Sequence, residues 1–523
     1  MLKKTAITLA VLVAAGAWAS HWYEGLGRDD GIVRPTFAAF TLPGGAADGS
    51  SAPSATGFRV DSLGDPRILP PMPPEKPMDI HTAANARSDL AIRSCFWPGP
   101  RARSGVYTND GASFALENQL PDTATTYIPT AFILPQGATM TLRGEFAHMR
   151  HWNLNTYNDK GEPQDALSDV QIEPDAGSVN PFRDGVPRDA AQRRYTVHVV
   201  NGAVPAKRAP NTLYTNVAPG QQAYLWMRNY VPDFSKDYLG GVGLPTLEVT
   251  LADGRSLTDQ AACAATAAPM RGKQLPRTID PRQWLALSHL PWVDSANIGA
   301  INQDVVPLHA FFNRKDVLRT LFFPTFAESA PEQRGGWWSN QATRYGSAYI
   351  SRNFGKVYVV TGKMPQTPAT WHGERDNHNA SADMRYMSVC ATGAPSSGMT
   401  ADCAYDEQLR PTLDAQGRFY VVLSRAEDRP ANATEACGVM WLDIGNGDGL
   451  MGGSTEFAAV INRHTIVNPT FKHSWFAVTK PGQERAAMGG YLPYLLNMHD
   501  KRSFEALGCR VDKARIAARL PAL

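Results

Sequence analysis

Charge is scarce in this chain. Asp, Glu, Lys and Arg make up 19% of its 523 residues, against about 25% in an ordinary soluble protein, and the 51 basic and 49 acidic residues nearly cancel. This balance gives no electrostatic reason to expect nucleic acid or an anionic membrane surface as a partner. Long apolar runs are missing beyond the N-terminal segment, so no integral membrane span is expected once that segment is removed. There is no G-x-S-x-G elbow, no H-E-x-x-H pair, no Walker loop and no G-x-G-x-x-G turn between a strand and a helix. Their absence removes the most readily recognised hydrolases, metalloproteases and nucleotide binders. No C-x-x-C pair occurs and no Cys/His spacing suits zinc, so neither a metal nor a cofactor is expected.

What is present begins with targeting. Lys3 and Lys4 precede an almost unbroken apolar stretch over residues 5–15, and Ala17-Trp18-Ala19 has the A-x-A form of a signal-peptidase site. This pattern predicts a signal peptide over 1–19 and a periplasmic or secreted protein. Removing Lys3 and Lys4 also removes the whole formal charge of +2. In such a compartment the six cysteines Cys95, Cys263, Cys390, Cys403, Cys437 and Cys509 read as disulfides. Six cysteines allow 15 connectivities. Cys390 with Cys403 would staple a local hairpin, while Cys95 with Cys263 and Cys437 with Cys509 would each tie the ends of one domain.

Residues 20–94 are rich in Ala, Gly, Ser and Pro and read as a loose leader. From Cys95 onward, short β-type runs alternate with turn residues, as at 139–142, 195–200, 223–227, 356–360, 419–423 and 457–461. Trp284, Leu285, Val306, Leu308 and Phe311 lie in segments that could hold one or two helices. Ordered landmarks recur in two places. Asp122, Tyr127, Gly137 and Gly144 are spaced by 5, 10 and 7 residues, and so are Asn340, Tyr345, Gly355 and Gly362. Arg150 and Arg228 then match Arg385 and Arg463, each pair 78 residues apart. The pattern predicts a mainly β fold: two tandem antiparallel β-sandwich, jelly-roll-like domains over 95–265 and 336–510, a partly helical connector over 266–335 and a tail over 511–523. The repeated glycines are expected at positive-φ turns between paired strands.

Met149-Arg-His-Trp-Asn-Leu-Asn-Thr-Tyr-Asn, followed by Met227-Arg-Asn-Tyr-Val-Pro, resembles a bacterial β-sandwich domain of unknown function, with a Trp-x-x-x-x-Tyr-Asn/Asp strand and a later Arg-x-Tyr-x-Pro strand. The likeness covers about 100 residues of the first copy. In the second, Met387, Ala391 and Thr465 stand where Trp, Tyr and Tyr would be expected. The resemblance implies the fold and carries no chemistry.

Arg150, Arg228, Arg385 and Arg463 are the first candidate site. An inward-facing Arg needs carboxylate or carbonyl partners, for which Asp169 and Asp406 are placed, or it can receive an anionic ligand. Between Gly362 and Arg385 the second copy carries an insertion of 17 residues with His372, Glu374, Asp376 and His378, residue types that serve as metal ligands, as an acid/base pair or as a solvated loop. Asp443, Asn446 and Asp448 form an acidic Gly-rich turn without the full calcium register. Among the histidines, His148 and His151 bracket Arg150, and His464 and His473 flank the last Arg strand. The reading is an exported ligand-binding or envelope-associated protein, with a small molecule or glycan as ligand. The alternative is a secreted hydrolase or lyase acting on a glycan or small anionic substrate, with His378, Asp376, His464 and Asp406 as its candidate catalytic residues.

Overall fold

The computed structural model describes residues 94–97, 101–102, 120–237, 239–268, 304–311, 338–352, 354–375, 381–394, 399–445, 457–480 and 482–522. The chain is mainly β, in four five-stranded sheets. In the first half, β1 (Arg101–Ala102), β2 (Thr125–Ile133), β8 (Gln222–Pro232), β4 (Met149–Asn158) and β5 (Pro163–Ser168) lie side by side in that order. The facing sheet runs β10 (Ser256–Thr258), β9 (Thr246–Thr250), β3 (Thr139–Glu145), β6 (Arg194–Val200) and β7 (Thr212–Tyr214). Ile128, Met140, Leu142, Trp152, Leu154, Val197, Leu225 and Val249 interleave between them in one buried core.

The second half repeats this order. One sheet is β12 (His309–Ala310), β13 (Thr343–Ser351), β19 (Phe457–Val467), β15 (Met384–Ala394) and β16 (Met399–Tyr405). The other is β11 (Val305–Pro307), β20 (Tyr494–Asn497), β14 (Tyr358–Lys363), β17 (Arg418–Ser424) and β18 (Met440–Asp443). Each half even keeps one parallel pair at the same place, β6 with β7 and β17 with β18. The strand expected at 356–360 begins at Tyr358. Most of the expected connector lies outside the described residues; of its described parts, 266–268 ends the first half and 304–311 is extended and adds β11 and β12 to the second. Val511 and Ile516, placed in a tail by sequence, are buried in the second core.

The period-2 alternation of the central strands explains why they are buried on both faces. Along β8, Ala223, Leu225 and Met227 enter the core of the first half. The alternate residues Tyr224, Trp226 and Tyr230 pack against Trp338 and Tyr386 of the second half. A strand needs both faces covered to be buried throughout Ala-Tyr-Leu-Trp-Met-Arg-Asn-Tyr-Val, where only Arg228 and Asn229 interrupt the aromatic and apolar residues.

Three of the four glycine expectations are corrected, Gly355 among them, since its φ is not positive. Gly137 has φ 72° and does turn the chain between β2 and β3, but Gly144 and Gly362 lie inside β3 and β14. They are needed for close approach: a Cβ would come within 2.7 Å of the Tyr195 hydroxyl at the first and 3.0 Å of the Pro493 Cα at the second. Gly346 in β13 is tighter still, since a Cβ there would overlap the fully buried indole of Trp475. Gly346→Ala is therefore expected to cost about 1–3 kcal/mol, read as a lower urea midpoint with an unchanged m-value.

All six cysteines are paired as Cys95–Cys263, Cys390–Cys403 and Cys437–Cys509. Cys390 and Cys403 sit directly opposite each other on β15 and β16. Cys95–Cys263 joins the two ends of the first half, whereas Cys437, between β17 and β18, is tied to Cys509 near the C-terminal end of the second, so that bridge does not close the whole half as the spacing had suggested. Among the described residues, no helix is long and apolar enough to cross a membrane.

Candidate functional site

The four arginines project from neighbouring central strands, Arg150 and Arg228 from β4 and β8, Arg385 and Arg463 from β15 and β19. None is more than 4% exposed. Arg150 binds the Asp406 carboxyl through Nη1 and the Glu407 carboxyl through Nη2, and its Nε donates to Thr370 Oγ1 at 3.2 Å. Arg385 Nη1 donates to Asp169 Oδ1 at 2.8 Å and Nη2 to the Phe182 carbonyl at 2.8 Å. Asp169 and Asp406 are thus the acids expected from sequence, but with exchanged partners: each arginine reaches the acid of the other half. The two intra-copy spacings, Arg150 to Asp169 and Arg385 to Asp406, do not correspond to ion pairs, because the halves meet face to face and the acids lie at the end of the neighbouring sheet.

The exchange extends to two chain segments that act as hooks. Residues 120–124, ahead of β2, enter the second half. There Asp122 accepts from Tyr386 Oη at 2.9 Å and Ser388 Oγ at 2.5 Å and faces Arg463 Nη1 at 3.8 Å, while the Leu120 carbonyl accepts from Arg463 Nη2. Residues 338–342, ahead of β13, enter the first half. The Trp338 carbonyl accepts from Arg228 Nη2, and Asn340 bonds Tyr230 Oη at 2.8 Å and Asn153 Nδ2 at 2.6 Å. Leu120 and Trp338 both have positive φ, 53° and 57°, and so do Val231 and Ile466, 43° and 50°. For β-branched residues this is strained, and both pay it at the same place, where their N–H groups bond Ala124 and Ala342 of the hooks.

The electrostatics of the two exchanged pairs differ. Burial alone would raise the Asp169 carboxyl, but Arg385, His151 and the Trp152 N–H outweigh it and hold it below the usual carboxylate range. At Asp406 burial wins and the pKa is raised, outweighing the opposing pull of Arg150, the Met387 N–H and the Arg410 guanidinium.

Of the segment between β14 and β15, which holds the insertion, the part around Thr370–His372 lies over Arg150 and its partner Glu407. Glu407, itself buried, accepts from the Trp371 N–H at 3.1 Å and the His372 N–H at 3.2 Å, and bonds His372 Nδ1. The His372 side chain remains 66% exposed. Beside it, Trp371 meets the 65% exposed Phe234 edge to face at 6.3 Å, and exposed Arg375 pairs with Asp189 of the first half at 3.2 Å. Glu374 turns inward to accept the Ala369 N–H. Asp376 and His378 lie outside the described residues, as do Asn446 and Asp448.

The remaining candidates do not form one site. His464 is buried, accepts weakly from the Trp475 N–H at 3.4 Å, and is pushed down to about 3 by burial. Asp406 is on the far side of an ion pair with Arg150, and Arg463 is with Asp122. His148 is pushed down to about 4 by burial and by the Arg193 guanidinium that contacts it. Asp122, Cys390 and Cys403 bring potential ligand atoms within 4.8 Å of one another, but the two sulfurs are joined in a disulfide and cannot act as thiolates. Sequence reading missed Asp122, Glu407 and Thr370 as arginine partners; the Asp122/Asn340 repeat was the available signal.

No family model and no curated protein matches the chain. Among solved structures it is similar to an uncharacterised protein from Burkholderia cenocepacia, at 12% identity and a TM-score of 0.39, over 84% of this chain and 94% of that one. It is also similar to a structural-genomics target from Vibrio parahaemolyticus, at 11% identity and a TM-score of 0.34, over 73% of this chain and 90% of that one.

Proposed function

We propose that the chain is an exported ligand-binding protein, made of two related β-sandwich copies, whose ligand meets the second-copy insertion where it lies against the first copy. One observation carries the reading. The repeated arginines and acids are consumed in joining the halves, whereas His372 is turned to solvent with its Nδ1 fixed on buried Glu407, beside Trp371, Phe234 and Arg375. A ring fixed through one nitrogen presents the other in a defined direction, and exposed aromatic edges beside a cation suit a glycan or small anionic compound. Two related copies are supported by the repeated strand order and by the matched strain of Leu120 with Trp338 and Val231 with Ile466. Export is supported by the A-x-A segment at 17–19 and by three disulfides. For the hydrolase or lyase alternative, His464 and Asp406 are each buried, and Asp376 and His378 lie outside the described residues.

The test is a thermal-shift screen of the mature chain against sugars, organic acids and divalent metals, with and without EDTA. A hit that raises Tm in the wild type and is at least about tenfold weaker in both Trp371→Ala and His372→Gln supports the reading, about 1.4 kcal/mol in binding. A hit that binds both variants as well as the wild type places the ligand elsewhere and overturns it.

A further inference from the structure

Arg228 differs from the other three arginines. Arg150 has Asp406 and Glu407, Arg385 has Asp169, and Arg463 has a carboxylate oxygen of Asp122 at 3.8 Å. Among the described residues, Arg228 has no carboxylate in ion-pair contact, although it is only 2% exposed. Its Nη2 donates to the Trp338 carbonyl, while its Nη1 is buried without a hydrogen-bond partner. The rings of Trp226, Tyr157 and Tyr127 stand 5.0, 5.5 and 5.6 Å from its Cζ. Such faces attract a cation but leave its charge unneutralised, and an unpaired buried charge is among the most costly features a fold can hold.

The cause is one residue. Asp122 and Asn340 occupy matching places in the two hooks: each backbone N–H donates to a Tyr hydroxyl five residues on, at 2.8 and 3.0 Å, and each Oδ1 caps the N–H two residues on, at 3.0 and 2.9 Å. In one hook that place carries a carboxylate for Arg463. In the other it carries a neutral amide, already engaged with Tyr230 and Asn153.

We propose that Arg228 Nη1 holds a single halide-sized anion, chloride in practice, which takes the part that the Asp122 carboxylate plays for Arg463. Trp338 stacks on Trp226 at 4.9 Å and lies 5.1 Å from Tyr157 and 4.8 Å from Tyr224, and so close a ring lining suits a compact, weakly hydrated anion over a branched carboxylate or phosphate. The anion neutralises the guanidinium that grips the Trp338 carbonyl and so fastens the second hook to the first half.

The experiment compares thermal unfolding of the mature chain in chloride, bromide and gluconate at constant ionic strength, for wild type and Asn340→Asp, and locates bromide by anomalous scattering in crystals. Wild-type Tm is expected to rise by about 2 °C per tenfold increase in halide. Asn340→Asp supplies a built-in carboxylate, so its Tm should be independent of halide and, in gluconate, no lower than that of the wild type. A bromide peak at hydrogen-bonding distance from Arg228 Nη1 completes the result. Equal wild-type Tm in halide and gluconate, a water in place of bromide at Nη1, or halide dependence that persists in Asn340→Asp would each overturn the proposal. If Asn340→Asp does not fold, the wild-type series and the bromide map decide it.

Discussion

Replacing Arg150 by Met is expected to lower the unfolding free energy by about 3–5 kcal/mol, measured by urea unfolding at pH 7. The change leaves Asp406 and Glu407, both buried, without the guanidinium on which they converge. Asp406 is already raised by burial with Arg150 in place, so it has little reserve. Lost packing is the competing explanation, and a second variant separates the two. Arg150→Met combined with Asp406→Asn and Glu407→Gln removes the charges together and should recover most of the loss, since neutral isosteres keep the volume without the unpaired charge. A combined variant as unstable as the single one would assign the cost to packing.

Acid is expected to destabilise the chain by about 3 kcal/mol between pH 7 and pH 4 through His464 alone. Burial holds this imidazole down to about 3 in the folded state, whereas in the unfolded chain it titrates near its ordinary value of about 6.5. As pH falls below that value the unfolded chain takes up a proton that the folded chain refuses. The stability present above it is therefore lost at about 1.4 kcal/mol per pH unit, until the folded ring protonates near pH 3. Asp169, held low, acts in the same direction at more acid pH, and Asp406, held high, acts against it. His464→Gln keeps an acceptor for the Trp475 N–H and removes the titration, so its stability should fall less steeply between pH 6.5 and 4. Identical slopes in the two proteins would show that His464 is not the buried titrating group.

The strands were legible because alternation and turn residues are local signals, and five of the six short runs read from sequence lie wholly within observed strands. Disulfides were legible from the even cysteine count and the export pattern, but the connectivity was one of 15 open choices, and Cys437 proves to lie between β17 and β18 and not at an end of its half. The importance of Arg150, Arg228, Arg385 and Arg463 was legible from their repetition, but their partners were not. Where two halves share their landmarks, Asp169 and Asp406 stand at similar places in each, so spacing cannot distinguish an ion pair within a half from one exchanged between halves. Glycine spacing carried a similar ambiguity: Gly144 was read as a turn, whereas it makes room for Tyr195 of the adjacent strand, a demand set by a residue far along the chain. The exposed His372 was singled out as part of an insertion; what sequence could not supply was Glu407 beneath it.

The reciprocal hooks also impose an order of events on a chain that is made from its N-terminus. The first half can assemble its own core as soon as its strands are complete, because the residues of that core all precede position 268. Its outer face cannot be finished then. Arg228, Tyr157 and Asn153 must wait for the carbonyls of Trp338 and Ser339 and the amide of Asn340. Conversely, the 120–124 segment is produced long before Tyr386, Ser388 and Arg463 exist to receive it. A first half folded ahead of the second exposes the aromatic face of Tyr157 and Trp226 and carries an arm whose partners are not yet in place. That state is the one in which a second copy of the chain, or a chaperone, would find the most to hold.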